Sequence, residues 1–349
     1  MRLAAVSCVS DDASVFASTP KWGQSPSRIS IRSVTLIEPI SAASAVAGKR
    51  ILVLGGNGFI GCHLTAALVR AGARVRVMGR SCTPGVDGGV EYVKGDIAGQ
   101  IAFDEVLDGI DQVYHLVSST IPGTSNANPV LDVQTNLVGS LRLLDAMVTA
   151  QVRGLVFLSS GGTVYGNPEE LPVREDHVLR PISSYGVVKG AIENYMRLYS
   201  MLHGFDISVL RLSNPYGLGK TLIGTQGVIP TIFSKVINGD VIEIWGDGHA
   251  VRDYIHMDDA VRAMLAVAGL RGFNLFNVGS GVGHSLRDVI DHVSRVTGLE
   301  PTIKFGPARP FDVRAIYLDV SKIQSVAQWK PEISLEQGCA MYWEGMDRR

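Results

Sequence analysis

A tyrosine and a lysine four residues apart are the first candidates for chemistry in this chain. Tyr185 and Lys189 lie in Ser-Tyr-Gly-Val-Val-Lys at the start of a predicted helix, so both side chains project from one helix face. A phenol with its ordinary pKa of about 10 is a poor base near neutral pH, and a nearby ammonium group lowers that pKa by stabilising the phenolate. The pair therefore indicates a proton acceptor matched to a sugar hydroxyl.

A glycine-rich corner precedes this pair by about 125 residues and could bind a phosphate. An apolar run ends at Gly55, and Gly58 and Gly61 follow at three-residue spacing before a helical pattern begins. Gly55 and Gly58 permit close backbone approach, Gly61 lets the helix pack near the strand, and the free N–H groups at the helix start attract a pyrophosphate. The same glycines also fit an ordinary turn, but their place upstream of the Tyr-Lys pair favours a phosphate site.

The elements that must position these residues alternate along the chain. We predict a strand in the apolar run before Gly55 and further strands at residues 74–78, 91–94, 112–116, 154–158 and 207–210. Helices are predicted after the glycine corner, at 136–150 and at about 185–202. Such alternation predicts an α/β fold with a doubly wound parallel sheet, covered by helices on both faces. Right-handed crossovers then bring the C-terminal ends of the strands to one edge, where ligands bind.

Bulk composition excludes several classes of protein. With 349 residues, a formal net charge of −1 and 19% charged residues, the chain carries no basic face for nucleic acid and no acidic tail. No apolar run reaches the roughly 18–20 residues that span a bilayer. The cysteines at 8, 62, 82 and 339 show neither metal-ligand spacing nor a disulfide framework, so we predict reduced thiols, a cytoplasmic protein and no metal.

Residues 1–48 differ from the rest of the chain because they are rich in Ser, poor in acidic residues and without a sustained period. Low acid content with Ser and scattered Arg is typical of an organellar transit peptide, but Asp11, Asp12 and weak amphipathicity argue against targeting. We therefore predict a disordered N-terminal extension.

Longer motifs resemble one family. From Lys49 to Trp343 the chain is similar to the extended short-chain dehydrogenases/reductases, in particular NAD-dependent nucleotide-sugar epimerases and dehydratases of the UDP-glucose 4-epimerase kind. The resemblance rests on the glycine corner, Gly95-Asp96-Ile97, Asn136, Val164-Tyr165-Gly166, Tyr185 with Lys189, Asn214-Pro215-Tyr216-Gly217, Arg252-Asp253-Tyr254-Ile255-His256 and Arg309-Pro310-Phe311-Asp312.

The resemblance implies a Rossmann-type NAD-binding domain at residues 49–212 and a smaller, mainly substrate-binding lobe at 213–349. It implies that Tyr185 and Lys189 are catalytic and contact the cofactor, together with Gly55, Gly58, Phe59, Ile60, Gly61, Asp96 and Ile97. Asn214, Arg252 and Arg309 are the implied contacts to a nucleotide sugar, with UDP-sugars favoured. A homodimer and a role in nucleotide-sugar metabolism, including polysaccharide biosynthesis, follow from the same resemblance.

Two positions depart from the family pattern. The family's catalytic Ser or Thr, counted three residues back from Val164, falls on Gly161, so Ser160 or Thr163 is expected to bond the reacting hydroxyl. The same segment lacks the acidic residues that family dehydratases and decarboxylases use. Near the end of the second strand, Gly79 and Arg80 stand where the family places an acid for NAD, and an arginine there could accept the extra phosphate of NADP.

We therefore predict an epimerase that interconverts C4 epimers of a UDP-hexose with bound NAD. The nearest alternative is an NAD(P)-dependent reductase of a keto-sugar or other carbonyl, which Arg80 would favour. A protein that binds nucleotides without catalysis is a third possibility, because Gly161 has no side chain.

Overall fold

The computed structural model describes residues 45–81, 86, 89–99, 101–219, 227–307 and 313–346. All of them belong to one compact unit. Within these ranges, no helix is both long and apolar enough to cross a membrane.

The main sheet has seven parallel strands in the order β10-β6-β5-β4-β1-β2-β3. The strands are β1 Arg50–Leu54, β2 Arg74–Gly79, β3 Glu91–Lys94, β4 Gln112–His115, β5 Gly154–Ser160, β6 Asp206–Leu212 and β10 Phe273–Val278. The chain winds outward from β1 to β3, then returns to the other side of β1 at β4. The ends of β1 and β4 are therefore the switch point at which ligands bind in such sheets.

Successive residues of each strand point to opposite faces of the sheet, and both faces are covered. The helices are α1 Phe59–Arg70, α2 Phe103–Leu107, α3 Pro122–Ser125, α4 Pro129–Asp132, α5 Gly139–Thr149, α6 Ser184–His203, α7 Val228–Asn238, α8 Met257–Ala266, α9 Leu286–Thr297, α10 Ser321–Ala327 and α11 Leu335–Gly345. Ile51 and Val53 pack into one core with α1, whereas Leu52 and Leu54 pack into a second core with α5 and α6. The prediction of a doubly wound α/β fold is confirmed.

Two smaller sheets follow the main one. One contains β7 Asn214–Tyr216, β9 Val251–His256, β11 Gly283–Ser285 and β13 Ala315–Ile316; the other pairs β8 Ile242–Trp245 with β12 Ile303–Gly306. A third core of α7, α9 and α11 side chains packs against them. Between β9 and β11 the chain returns to the main sheet as β10, which pairs with β6, so residues beyond 212 complete the main sheet.

The helix predicted to begin at Asn136 begins earlier. A π-helix spans Val133–Val138 between α4 and α5, so the chain is helical from Pro129 to Thr149. The wider π turn contains Asn136, whose side chain turns inward to bond Ser119 and Asp132. A π turn inside a helix is frequently found at functional sites.

The described residues also include some that the sequence assigned to the N-terminal extension. Val46 is fully buried in the core around α1, and Gly48 N donates to Gly72 O at 2.9 Å. Residues 1–44 lie outside the described residues, so disorder of that part of the extension stays a prediction.

Candidate active site

The glycine corner joins β1 to α1 as the spacing predicts. Gly55 has φ +83°, a conformation that favours glycine, and a Cβ on Gly61 would lie 2.2 Å from Gly55 O. Helix α1 begins at Phe59 with no side-chain cap at Gly58 and no acidic residue in its first turn. The helix N–H groups therefore face the cleft uncapped, and an anion bound there would meet the positive end of the helix dipole.

The Tyr-Lys pair lies in the same cleft. Gly55, Phe59, Tyr185 and Lys189 all line it. Lys189 Nζ donates to Leu158 O at 2.8 Å and lies 5.6 Å from the centre of the Tyr185 ring. The helix spacing thus brings both side chains beside the end of β5, within one cavity shared with the phosphate corner.

Three side chains hold the start of α6, which carries Tyr185. Ser183 Oγ accepts from Gly186 N at 3.2 Å, Asn126 Oδ1 from Ser184 N at 2.8 Å, and Ser125 Oγ from Tyr185 N at 3.1 Å. These bonds satisfy N–H groups that a helix start leaves without partners, and so fix the turn that carries the tyrosine.

Burial dominates the acid-base properties of the pair. Burial raises the pKa of Tyr185 to about 12, with a smaller opposing effect from a hydrogen bond with Ser118 and a further increase from the Asp132 charge. Burial also lowers the pKa of Lys189 to about 8, while Glu193 and Asp132 favour its charged form. The prediction of a lowered Tyr185 pKa is therefore wrong for the protein alone, because loss of solvent raises the pKa.

The segment after β5 presents two hydroxyl groups. Ser160 and Thr163 line the cleft, whereas a Cβ on Gly161 would point away from it and lie 2.5 Å from Leu318 Cδ1. Thr163 Oγ1 is buried and bonds to nothing among the described residues. The missing side chain at Gly161 therefore removes no group from the cleft, whose wall at this point is formed by Ser160 and Thr163.

A buried carboxylate that the sequence did not single out ties these elements together. Asp132 is fully buried and accepts hydrogen bonds from Thr120 Oγ1 (2.7 Å), Asn136 Nδ2 (2.8 Å) and Ser184 Oγ (2.7 Å). It therefore links the loop after β4, the π-helix and the start of α6. The polar run Ser118-Ser119-Thr120 after a buried strand was the sequence signal for this network.

Three predicted cofactor contacts lie outside the residues that line the cleft. Arg80 is exposed at the end of β2, and Asp96 is exposed with its carboxylate accepting from Ala98 N at 3.0 Å. Ile97 is buried against Gly139. All three follow the C-terminal ends of β2 and β3, on the edge of the sheet that carries the glycine corner.

The predicted substrate residues divide into two groups. Asn214 and Arg252 line the cleft. Asn214 Nδ2 donates to Asp253 O at 2.9 Å, which leaves its Oδ1 as an acceptor near Gly162. Arg309 lies outside the described residues. No group of three or more His, Cys, Asp or Glu that could hold a metal occurs within the described ranges.

The arrangement fits a dinucleotide and a second polyhydroxylated ligand. An uncapped helix start can hold a pyrophosphate, and the cleft continues from there to a phenol, an ammonium and two hydroxyl groups. A tyrosine beside a lysine can exchange a proton with an alcohol, and hydroxyl groups can orient that alcohol.

Comparison with known proteins agrees with this geometry. Residues 51–279 match the model of the NAD dependent epimerase/dehydratase family. A putative UDP-glucose 4-epimerase of Methanocaldococcus jannaschii is 32% identical over 292 residues, covering 82% of this chain and 95% of that protein. The crystal structure of UDP-glucose 4-epimerase with UDP-glucose from Thermotoga maritima superposes with a TM-score of 0.80 at 31% identity, covering 85% of this chain and 98% of the other. The Thermus thermophilus UDP-glucose 4-epimerase complex with NAD gives 0.79 at 30% identity, with the same coverage of both chains.

The family match spans the glycine corner, the Tyr-Lys pair and the strand that completes the main sheet, and the relatives are covered almost from end to end. The resemblance read from the sequence is thereby confirmed: this chain belongs to the NAD dependent epimerase/dehydratase family.

Proposed function

We propose that this protein is an NAD-dependent epimerase that interconverts the C4 epimers of a UDP-hexose. The observation that carries the proposal is the convergence of Tyr185, Lys189, Ser160 and Thr163 on the cleft that begins at the glycine corner. Relatives named as UDP-glucose 4-epimerases, and a neighbour crystallised with UDP-glucose, support the substrate class.

The chain's own residues handle the proton of the reacting hydroxyl. Tyr185 as phenolate removes the proton from the C4 hydroxyl as the C4–H bond breaks and the 4-keto sugar forms, and it returns the proton when the hydride comes back to the other face. Ser160 or Thr163 orients the hydroxyl, and Lys189 stabilises the phenolate. The bound dinucleotide supplies a reversible hydride acceptor that, in its oxidised form, carries a positive charge.

That positive charge matters because the phenol of the protein alone has a pKa of about 12 and is protonated at neutral pH. The Tyr185 phenolate would be favoured by a positive charge held in the same desolvated cleft. The base is therefore expected to form mainly after the oxidised cofactor has bound.

Gly55, Gly58, Phe59, Ile60 and Gly61 are proposed to hold the cofactor pyrophosphate, with Asp96 and Ile97 toward the adenine. The family and the NAD complexes of its neighbours support NAD. Arg80 leaves NADP as a second ligand of the same site, because its guanidinium is exposed where the ribose is expected.

On the substrate side, Asn214 is proposed to bond the sugar or the base through Oδ1, and Arg252 and Arg309 to bind the diphosphate. Arginine suits this role because its planar set of donors matches phosphate oxygens.

The assembly and setting of the enzyme are part of the proposal. An exposed apolar stripe runs along α6 through Val187, Tyr195, Leu198, Met201 and Leu202. Positions three, four, seven or eleven residues apart lie on one helix face, so this stripe suits pairing with a second copy in a homodimer. The proposed setting is the cytoplasm, and the proposed role is supply of nucleotide sugars, including those used for polysaccharide biosynthesis.

The test is to incubate the purified protein, with nothing added, with UDP-glucose, UDP-galactose and their N-acetyl counterparts, and to follow the anomeric protons by NMR. Appearance of the C4 epimer supports both the reaction and a retained dinucleotide. An unchanged spectrum with consumption of added NADPH by a keto-sugar would replace the epimerase by a reductase, and binding without any turnover would indicate a nucleotide-binding protein.

A further inference from the structure

Few interactions within the segment 160–164 fix its conformation. Gly161 and Gly162 stand between the two cleft hydroxyls, and glycine restricts the backbone less than any other residue. Gly161 N donates to Leu212 O at 2.8 Å, and the turn itself closes through longer bonds from Thr163 N (3.4 Å) and Val164 N (3.2 Å) to Ser160 O. The placement of Ser160 and Thr163 therefore depends strongly on what holds the two ends of the segment.

Both ends are held by the same buried ion pair. Arg211 and Glu193 are almost fully buried and pair through Nη2 and Oε2 at 2.7 Å. Before the segment, the Ser159 hydroxyl donates to Glu193. After it, the Tyr165 hydroxyl accepts from Arg211 Nη1 at 2.9 Å and donates to Asn277 Oδ1 at 2.6 Å.

The pair also connects the segment to the helix that carries the proposed base. Glu193 lies one turn beyond Lys189 on α6, and Lys189 holds Leu158 O, the residue next to Ser159. Neighbouring residues of β5 are thus fixed to neighbouring turns of α6. Burial raises the pKa of Tyr165 to about 12, so its hydroxyl keeps the proton that it donates to Asn277.

We propose that Arg211, Glu193 and Tyr165 are positioning residues, which set Ser160 and Thr163 against the Tyr185 hydroxyl without touching the substrate. The inference rests on the proposed epimerase function for its kinetic readout. According to this proposal, the Arg211–Glu193 pair positions the reacting groups in addition to stabilising the core.

Removal of Glu193 or Arg211 leaves an uncompensated buried charge, and such variants lose fold together with position. Tyr165→Phe is a sharper probe because it removes one oxygen atom. Tyr114→Phe is its matched control: Tyr114 is also fully buried in the main sheet, and its hydroxyl makes one long bond of 3.4 Å to Met264 O, away from the cleft.

For Tyr165→Phe we expect kcat to fall about 10- to 100-fold, because misplacement of reacting groups by about 1 Å reduces rates on that scale. The KM for the UDP-sugar and the amount of bound NAD should stay within about twofold of wild type, because the positioned hydroxyls act mainly in the transition state. Tyr114→Phe should lower the melting temperature less, because only one long hydrogen bond is lost, and should leave kcat unchanged. Equal kcat in the two variants would overturn the inference.

Amide hydrogen exchange gives a readout that does not need turnover. Exchange in peptides covering residues 160–164 should be faster in Tyr165→Phe than in Tyr114→Phe, since the end of the segment has lost its anchor. If the wild type epimerises no UDP-sugar, the proposed function fails while this measurement still decides the positioning role. If epimerisation stands but exchange is the same in both variants, the positioning inference alone fails.

A double-variant cycle tests whether Tyr165 affects kcat through Ser160 and Thr163. In a Ser160→Ala, Thr163→Val background, Tyr165→Phe should cause little further loss of kcat, because the hydroxyls through which it acts are gone. A full multiplicative loss would show that Tyr165 acts by another route and would overturn the inference.

Discussion

The catalytic end and the adenine end of the proposed cofactor site are built in opposite ways. At the end that carries Tyr185, charged side chains such as Lys189, Asp132 and Glu193 are buried and bonded to several elements at once. At the proposed adenine end, Arg80 and Asp96 are exposed beyond β2 and β3, outside the residues that line the cleft. A buried network has one low-energy arrangement, whereas an exposed side chain is screened by solvent and changes at little free-energy cost. The proposed roles therefore imply a reaction that is fixed by the fold and a cofactor preference that is adjustable from the surface.

Loss of the proposed base should have the largest effect. Tyr185→Phe keeps the ring in the cleft and removes the oxygen that exchanges the proton, so turnover is expected to fall about 10²- to 10⁴-fold. Fold and bound cofactor should be retained, as judged by circular dichroism and by nicotinamide released on denaturation. Near-normal turnover would remove Tyr185 from the mechanism.

The buried cation should be visible in the pH dependence of stability. The pKa of Lys189 is about 8 in the folded protein against 10.5 for the ordinary group. The penalty for burying its ammonium is therefore fully present below pH 8 and disappears as the pH rises toward 10.5. Relative to Lys189→Met, the wild type should gain stability over that window, on the order of 3 kcal/mol. Urea unfolding at pH 7 to 10 measures the difference, and a constant gap would show that Lys189 is not a buried cation.

The hydroxyl groups of Ser160 and Thr163 should contribute unequally to kcat. Ser160 directly follows Leu158 and Ser159, which Lys189 and Glu193 hold, whereas Thr163 lies beyond two glycines. Ser160→Ala is expected to lower kcat about 10- to 100-fold, in line with loss of a hydrogen bond of about 1.5–3 kcal/mol to a charged group. Thr163→Val should lower it less. The reverse order would assign the orienting role to Thr163.

The exposed end should give the smallest effect. Arg80→Ala is expected to weaken NADP binding by about fivefold and to leave NAD binding nearly unchanged, because exposed charge pairs contribute about 1 kcal/mol or less. Titration of cofactor-free protein with each dinucleotide measures both. A large loss of NAD binding would show that Arg80 contacts the adenine rather than a phosphate, and would weaken the contrast between the two ends.

Local pattern was enough to predict the strands of the main sheet up to β6. Their apolar runs are bounded by glycine or polar turns, and β3 begins and ends at the residues predicted from sequence. The Gly55–Gly61 corner and the Tyr185–Lys189 spacing were recognisable for the same reason, since each depends on residues close together in the chain.

What the sequence did not reveal depends on distant partners. In the sequence, Asp132 looks like an ordinary carboxylate near a helix start. Its hydrogen bonds with Thr120 and Ser184 depend on the folded structure. The elevated pKa of Tyr185 reflects burial by several elements, whereas the sequence showed only the nearby lysine. Gly161 suggested a lost catalytic side chain, but the direction in which its Cβ would point emerges only from the packing of Leu318.

The strand order has a consequence for how the protein is made. Strand β10 covers the outer side of β6, yet it leaves the ribosome roughly 60 residues later. At about 5–20 residues per second, the apolar edge of β6 stays unpaired for on the order of 3–12 s, and such an edge can pair with another nascent chain. Expression should therefore be sensitive to translation speed and chaperone supply between residues 213 and 278, although the finished molecule leaves β6 paired on both sides.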